Sequence, residues 1–94
     1  MAREVAEIWR RCFQQWPLEV ERRGVLVVSF GEQIPFEGFA ASDDMLLVER
    51  RAPDTVGARI VLLAYQDIQG LKIVDVLKAK AFQSLGFDIA QPRK

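Results

Sequence analysis

The sequence predicts a mainly β domain in which a small, bent, antiparallel barrel of five short strands is flanked by two helices. Apolar residues first recur at helical spacing, and from Gly24 onward the chain changes to short β-rich runs separated by turn residues. These runs follow one another too closely to leave room for crossover helices, so neighbouring strands should pair antiparallel. A chain of 94 residues fits one domain, over residues 1–94, with a core of modest size.

The first helix is predicted over about residues 3–16. Its apolar side chains recur three and four residues apart, at Val5, Ile8, Trp9, Cys12, Phe13 and Trp16. Pro17 ends the helix because the residue before a proline is disfavoured in the helical conformation. Residues 18–23 then form either a short strand or a loop that leads out of the helix.

The strands are predicted within about residues 25–74. They are the runs GVLVVSF, IPFEGFAA, MLLVERR, GARIVLLAY and LKIV, each closed by turn residues. Several of these runs are apolar at consecutive positions, so both faces of the sheet require cover. Gly38 lies inside the second run and is expected to mark a bend or bulge that lets the sheet curl.

A second helix is predicted over about residues 75–85. Asp75 is the expected N-cap, because its side chain can accept hydrogen bonds from the first free N–H groups. Gly86 suits the left-handed position that ends a helix, and Phe87 is then placed to contact Phe82.

Composition excludes several classes of function. Thirteen Lys and Arg balance thirteen Asp and Glu, so no overall field attracts nucleic acid or anionic lipid. The chain has no histidine and a single cysteine, which excludes a Ser-His-Asp hydrolase, an internal disulfide and a Cys/His zinc site. We therefore expect a protein that is not an enzyme and that binds no cofactor or metal.

The apolar runs predict that the chain does not enter a membrane. Each run is far shorter than the roughly 20 residues that a membrane-spanning helix needs. The N-terminal segment MAREVAEIWRR is charged from residue 3 and lacks the apolar stretch of a secretory signal. The expected location is cytoplasmic.

Two polar features each have an ordinary and a functional interpretation, and Cys12 has an ordinary one. Asp43 and Asp44 either cap a turn or form a metal or acid/base pair. Cys12 lies on the apolar helix face and is expected to behave as a small hydrophobe. The basic doublets either form a salt-bridged surface or contact phosphate, and they are Arg10–Arg11, Arg22–Arg23 and Arg50–Arg51.

Two segments carry a resemblance to a known family. The order of a helix and five short strands, with SFGEQIPFEGFAASDDMLLVE and AYQDIQGLKI, resembles the Sm-like family of the LSm and Hfq type over about residues 3–75. The matching positions of the first segment are Gly31, Phe36, Gly38, Asp43 or Asp44, and 45–48. Those of the second are Tyr65, Gln66, Asp67, Ile68 and 71–73.

The resemblance implies a bent, SH3-like barrel whose copies join edge to edge into a homo-oligomeric ring, commonly with RNA bound at the pore. By the same analogy, MLLVERR and GARIVLLAY are the edge strands. The nucleic-acid-binding candidates are Ser42, Asp43, Tyr65 and Gln66. Tyr65 either stacks on a base or packs against the rim of the barrel.

RNA binding is expected to be weak even if the fold is Sm-like. Asp67 stands where the family often places a basic residue, and a carboxylate there repels phosphate. The alternative function is a protein–protein interaction adaptor of the same fold without nucleic-acid binding.

Overall fold

A computed structural model describes residues 4–88 of the chain. Its helix and strands are α1 (Val5–Gln14), β1 (Gly24–Val28), β2 (Gln33–Phe36), β3 (Gly38–Ala41), β4 (Met45–Glu49), β5 (Ile60–Ala64) and β6 (Ile68–Lys72). Three short 3-10 helices complete the described elements, at Ser29–Gly31, Tyr65–Asp67 and Ala79–Leu85.

The strands form two antiparallel sheets of three strands each, in the orders β2-β1-β6 and β3-β4-β5. The prediction of a mainly β protein with an N-terminal helix and antiparallel neighbours is therefore confirmed. Among the described residues the two sheets do not close into a barrel, because β5 and β6 do not pair with each other.

The second predicted strand, IPFEGFAA, divides into β2 and β3 at Glu37, where the chain bends. The Glu37 N–H donates to the Glu49 carbonyl at 2.9 Å, so the bend stays attached to β4. Gly38 follows directly, and a Cβ on it would lie 2.7 Å from Glu49 Oε1. The bend predicted at Gly38 thus occurs at the preceding residue, and the missing side chain of Gly38 leaves room for the Glu49 carboxylate.

The prediction that MLLVERR is an edge strand is wrong. β4 lies between β3 and β5, with Leu47 opposite Ala40 on one side and Leu62 on the other. Leu46 and Val48 have no exposed surface, which is the burial expected of a central strand. The prediction that GARIVLLAY supplies an edge strand is confirmed, because β5 ends its sheet.

The first helix is shorter than the predicted range of about 3–16, of which residue 3 lies outside the described residues. Trp16 and Pro17 follow the helix, and both are buried. Of the two alternatives for residues 18–23, the structure has the loop, in which the Val20 N–H donates to the Pro17 carbonyl at 3.2 Å.

The second helix differs from its prediction in type and in start. It is a 3-10 helix over Ala79–Leu85 with Lys78 at its N-cap. Asp75 is not the cap, because its carboxylate accepts hydrogen bonds from the Arg23 guanidinium. Gly86 adopts the expected left-handed conformation, with φ of 100°.

The core draws side chains from both sheets and from α1. At its centre, the Phe13 ring lies 5.5 Å from the Trp16 ring and 5.0 Å from the Phe39 ring. The Trp16 indole N–H donates to the Val20 carbonyl at 2.8 Å, which satisfies the one polar group in this cluster. Because large aromatic rings fill this space, α1 and the loop after it are held against β3.

Candidate functional site

A cluster of hydrogen bonds joins the β3–β4 turn to α1 and to the turn at Tyr65. Ser42 Oγ accepts the backbone N–H groups of Asp44 at 3.2 Å and of Met45 at 2.9 Å. The Asp43 carboxylate accepts the Gln14 side-chain amide at 3.0 Å. The Tyr65 hydroxyl donates to the Ser42 carbonyl at 2.5 Å. Three of the four nucleic-acid candidates therefore meet at one place, and Gln66 lies beside them.

Tyr65 packs into the structure and does not present its ring to a base. Only 2% of its surface is exposed, and burial raises the pKa of its phenol. Of the two alternatives for Tyr65, packing or stacking on a base, the structure shows packing. Ser42, Asp43 and Gln66 are not buried.

Three of the arginines that could contact phosphate make contacts within the chain. The Arg22 guanidinium carbon lies 4.6 Å from the centre of the Phe39 ring, and the same side chain donates to the Phe39 carbonyl at 3.3 Å. Arg23 pairs with Asp75, and Arg50 Nε donates to the Ala52 carbonyl at 3.1 Å. These contacts favour the structural interpretation of two of the three basic doublets.

Residues 4–88 contain neither a metal-binding cluster nor a membrane-spanning helix. No group of three or more His, Cys, Asp or Glu side chains in that range is close enough to hold a metal ion. Nor is any helix there both long and apolar enough to span a bilayer. Cys12 is partly buried, and this burial raises the pKa of its thiol.

Within residues 4–88, no strand pairs with the side of β5 that faces away from β4. The Arg50 N–H donates to the Arg59 carbonyl at 2.7 Å, which fixes the alternation of hydrogen bonds between β4 and β5. Val61 and Leu63 consequently direct their N–H groups toward β4. The N–H groups of Ile60, Leu62 and Ala64 point away from the sheet.

Among the described residues, β6 is one of the two edge strands of the other sheet, and β2 is the second. The Val28 N–H donates to the Glu32 carbonyl at 2.9 Å, so Val25 and Val27 direct their backbone groups toward β6. The backbone of Leu71, which lies opposite Leu26, then faces away from β1. A shift in register between Val27 and Val28 leaves Gln69 as the extra residue of a bulge.

The β3-β4-β5 sheet is also apolar on the face that does not cover the core. Ala40, Leu47 and Leu62 lie side by side across the three strands. Met45, Ile60 and Leu62 are 43%, 55% and 59% exposed, which is high for large apolar side chains. β5 therefore combines an unpaired backbone edge with apolar side chains on both faces.

The apolar face of α1 is only partly covered. Val5 is 50% exposed and Ile8 is 47% exposed, although both belong to the predicted stripe. A groove of about 220 Å³ runs beside this part of the helix. Its lining consists of Ile8, Trp9, Arg11, Cys12, Leu85 and Phe87.

A second apolar cavity, of about 350 Å³, adjoins this groove between α1, β6 and the Ala79–Leu85 helix. Trp9 and Cys12 line both spaces, and Leu71 and Phe82 close the far side of the cavity. The helical periodicity identifies Trp9 and Cys12 as apolar positions, but it does not indicate that the segment after β6 covers them only in part.

Comparison with known proteins does not assign this arrangement to a family. No protein-family model, curated protein or solved structure matches the chain. Function therefore has to be inferred from the open edges, the apolar faces and the engaged polar residues.

Proposed function

We propose that this protein is a non-enzymatic, Sm-like assembly module that forms a homo-oligomeric ring by pairing β5 of one copy with β6 of the next. The single observation that carries the proposal is the continuous strand order, in which β6-β1-β2 passes through the bend at Glu37 into β3-β4-β5. If β2 and β3 are counted as one bent strand, this order is compatible with the five-stranded, SH3-like arrangement that we propose, in which β6 and β5 are the two end strands.

The chemistry of β5 favours strand addition. Exposed strand edges are usually blocked by proline, lysine or another charged residue, and the strand IVLLA contains none of these. A partner strand would accept hydrogen bonds from the outward N–H groups of β5 and would cover the exposed side chains of Ile60 and Leu62. Because β5 and β6 are different surfaces, head-to-tail pairing between identical copies leads to a closed ring when the rotation permits it.

A protein-interaction adaptor of the same fold is the second candidate. It is favoured by the engagement of Arg22 and Arg23 inside the chain and by the burial of Tyr65, which together remove groups that would bind RNA. In that case β5 accepts a strand from a different protein. A purified sample that is monomeric, with its edge unoccupied, would distinguish the adaptor from the ring.

The proposed ring can be tested with the substitution Ala64→Pro. The Ala64 N–H points away from β4, and its φ of −76° suits a proline ring, so the substitution removes an edge donor without breaking the β4–β5 ladder. We expect sedimentation velocity at tens of micromolar to show an oligomer for the wild type and a smaller species for Ala64→Pro.

Ala64→Ser is the matched control, because it changes the side chain and keeps the N–H group. It should sediment like the wild type, and circular dichroism should be the same for all three proteins. A wild-type protein that sediments as a monodisperse monomer would rule out the ring.

A further inference from the structure

The exposed ridge of α1 is a surface that edge pairing between β5 and β6 does not use. Val5 and Ile8 form the ridge, and each is about half exposed. On one flank lies the groove that ends at Leu85 and Phe87, of which Phe87 is 60% exposed. An apolar ridge beside an apolar groove is a shape that a second, similar helix can fill.

Two exposed residues of opposite charge lie beside the ridge in positions that fit a second copy of the same helix, and one of them, Arg11, also lines the groove. Glu4 and Arg11 are seven residues apart, or about two helical turns, so they lie on the same side. Both are exposed. In an antiparallel pair of identical helices centred near Ile8, Glu4 of each copy lies opposite Arg11 of the other.

We propose that α1 packs antiparallel against α1 of a second copy around a two-fold axis near Ile8. The axis brings the two Ile8 side chains together and forms the Glu4–Arg11 contact twice. A parallel pair would instead place Glu4 against Glu4 and Arg11 against Arg11, and its helix dipoles would be aligned. The charge pattern therefore selects the antiparallel arrangement, which also closes after two copies.

This contact is small and goes beyond the proposed function, since it can join two single copies or two rings. A helix of 10 residues offers less area than the roughly 800 Å² per partner of a typical stable complex. We therefore expect a weak dimer from an isolated pair of helices. Repetition of the contact around a ring would strengthen it through multivalency.

Reciprocal charge reversal tests the orientation. Arg11→Glu places Glu4 against a second carboxylate at two symmetric positions and should raise the dissociation constant about tenfold at low salt. Glu4→Arg combined with Arg11→Glu restores opposite charges and should recover most of the loss. Because both residues are exposed, loss of folding would not explain such recovery. A double variant that associates no better than Arg11→Glu overturns the proposal.

Cross-linking tests the position of the axis. Cys12 is the only cysteine, so Cys12→Ala provides a background for Ile8→Cys and, as a control, Leu18→Cys in the exposed loop after α1. A short bis-maleimide should produce covalent dimers of the Ile8→Cys protein much faster than of the Leu18→Cys protein. Equal rates overturn the proposal.

Adding Ala64→Pro to the Ile8→Cys protein separates this contact from the ring. The cross-link should persist when the edge is blocked, whether or not the wild type forms a ring. A lower cross-linking rate would reflect the loss of multivalency, whereas a rate no higher than that of the Leu18→Cys protein would show that the helices meet only through the ring, and the two-fold contact would then be wrong.

Discussion

At the scale of single residues, the hydroxyl of Tyr65 connects the β3–β4 turn to the turn before β6. It donates to the Ser42 carbonyl, and the ring is almost fully buried. We expect Tyr65→Phe to lower the free energy of unfolding by about 1 kcal/mol, because the Ser42 carbonyl loses its partner in a partly buried position. Urea unfolding followed by tryptophan fluorescence measures this difference, and an unchanged midpoint would contradict it.

The same residue should make stability depend on pH in the alkaline range. Burial raises the pKa of the Tyr65 phenol above its ordinary value of 10.0. Above about pH 10 the unfolded chain releases the proton while the folded chain retains it, so the unfolded state is favoured and stability falls as pH rises. Tyr65 is the only tyrosine, so Tyr65→Phe should lack this part of the decrease. Equal slopes for the two proteins would show that the phenol does not contribute.

At the scale of elements, local patterns predicted where strands occur better than which strands are neighbours. Alternate burial follows from the apolar positions in β2, where Ile34 and Phe36 are buried and Gln33 is exposed. The order of strands depends on β6 returning to pair with β1, which is a long-range contact that no short window contains. For this reason the sequence does not indicate the central position of β4, and the edge position of β5 follows only from the family resemblance.

The last helix differs from its prediction for a similar reason. The residues from Asp75 have helical spacing and a good capping residue, but the capping carboxylate is used by Arg23, far away in sequence. The candidate residues Ser42 and Tyr65 are joined by a hydrogen bond, and burial of Tyr65 depends on α1 packing over it. Sequence alone indicated the turns, and only the tertiary contacts showed which side chains remain exposed.

The direction of backbone N–H groups gives a prediction for β5 itself. Val61 lies opposite Val48 and directs its N–H toward β4, unlike Ala64. Val61→Pro therefore removes an internal hydrogen bond and should cost about 3 kcal/mol or more, while Ala64→Pro should cost far less. Thermal unfolding followed by circular dichroism compares the two. Similar losses in both proteins would mean that the assignment of the open edge is wrong.

At the scale of the whole molecule, charge decides how well an Sm-like assembly of this chain would bind RNA. The net charge is zero, and among the described residues Arg22 and Arg23 make internal contacts. Asp67 is exposed beside Gln66, where its carboxylate would face an incoming phosphate. A ring would repeat this acidic group in every copy and would thus increase the repulsion.

We therefore expect U-rich and A-rich RNA to bind more weakly than about 1 µM at about 0.15 M salt. Fluorescence anisotropy with short labelled RNA measures the affinity. Asp67→Lys should tighten binding and steepen its dependence on salt, because each added cation near the RNA releases counterions from the phosphate backbone. Glu32→Lys makes the same change of charge in the exposed turn before β2 and serves as the control. If the wild-type protein binds RNA at sub-micromolar concentration, Asp67 does not limit RNA binding. The same conclusion follows if Asp67→Lys and Glu32→Lys increase the affinity for RNA equally.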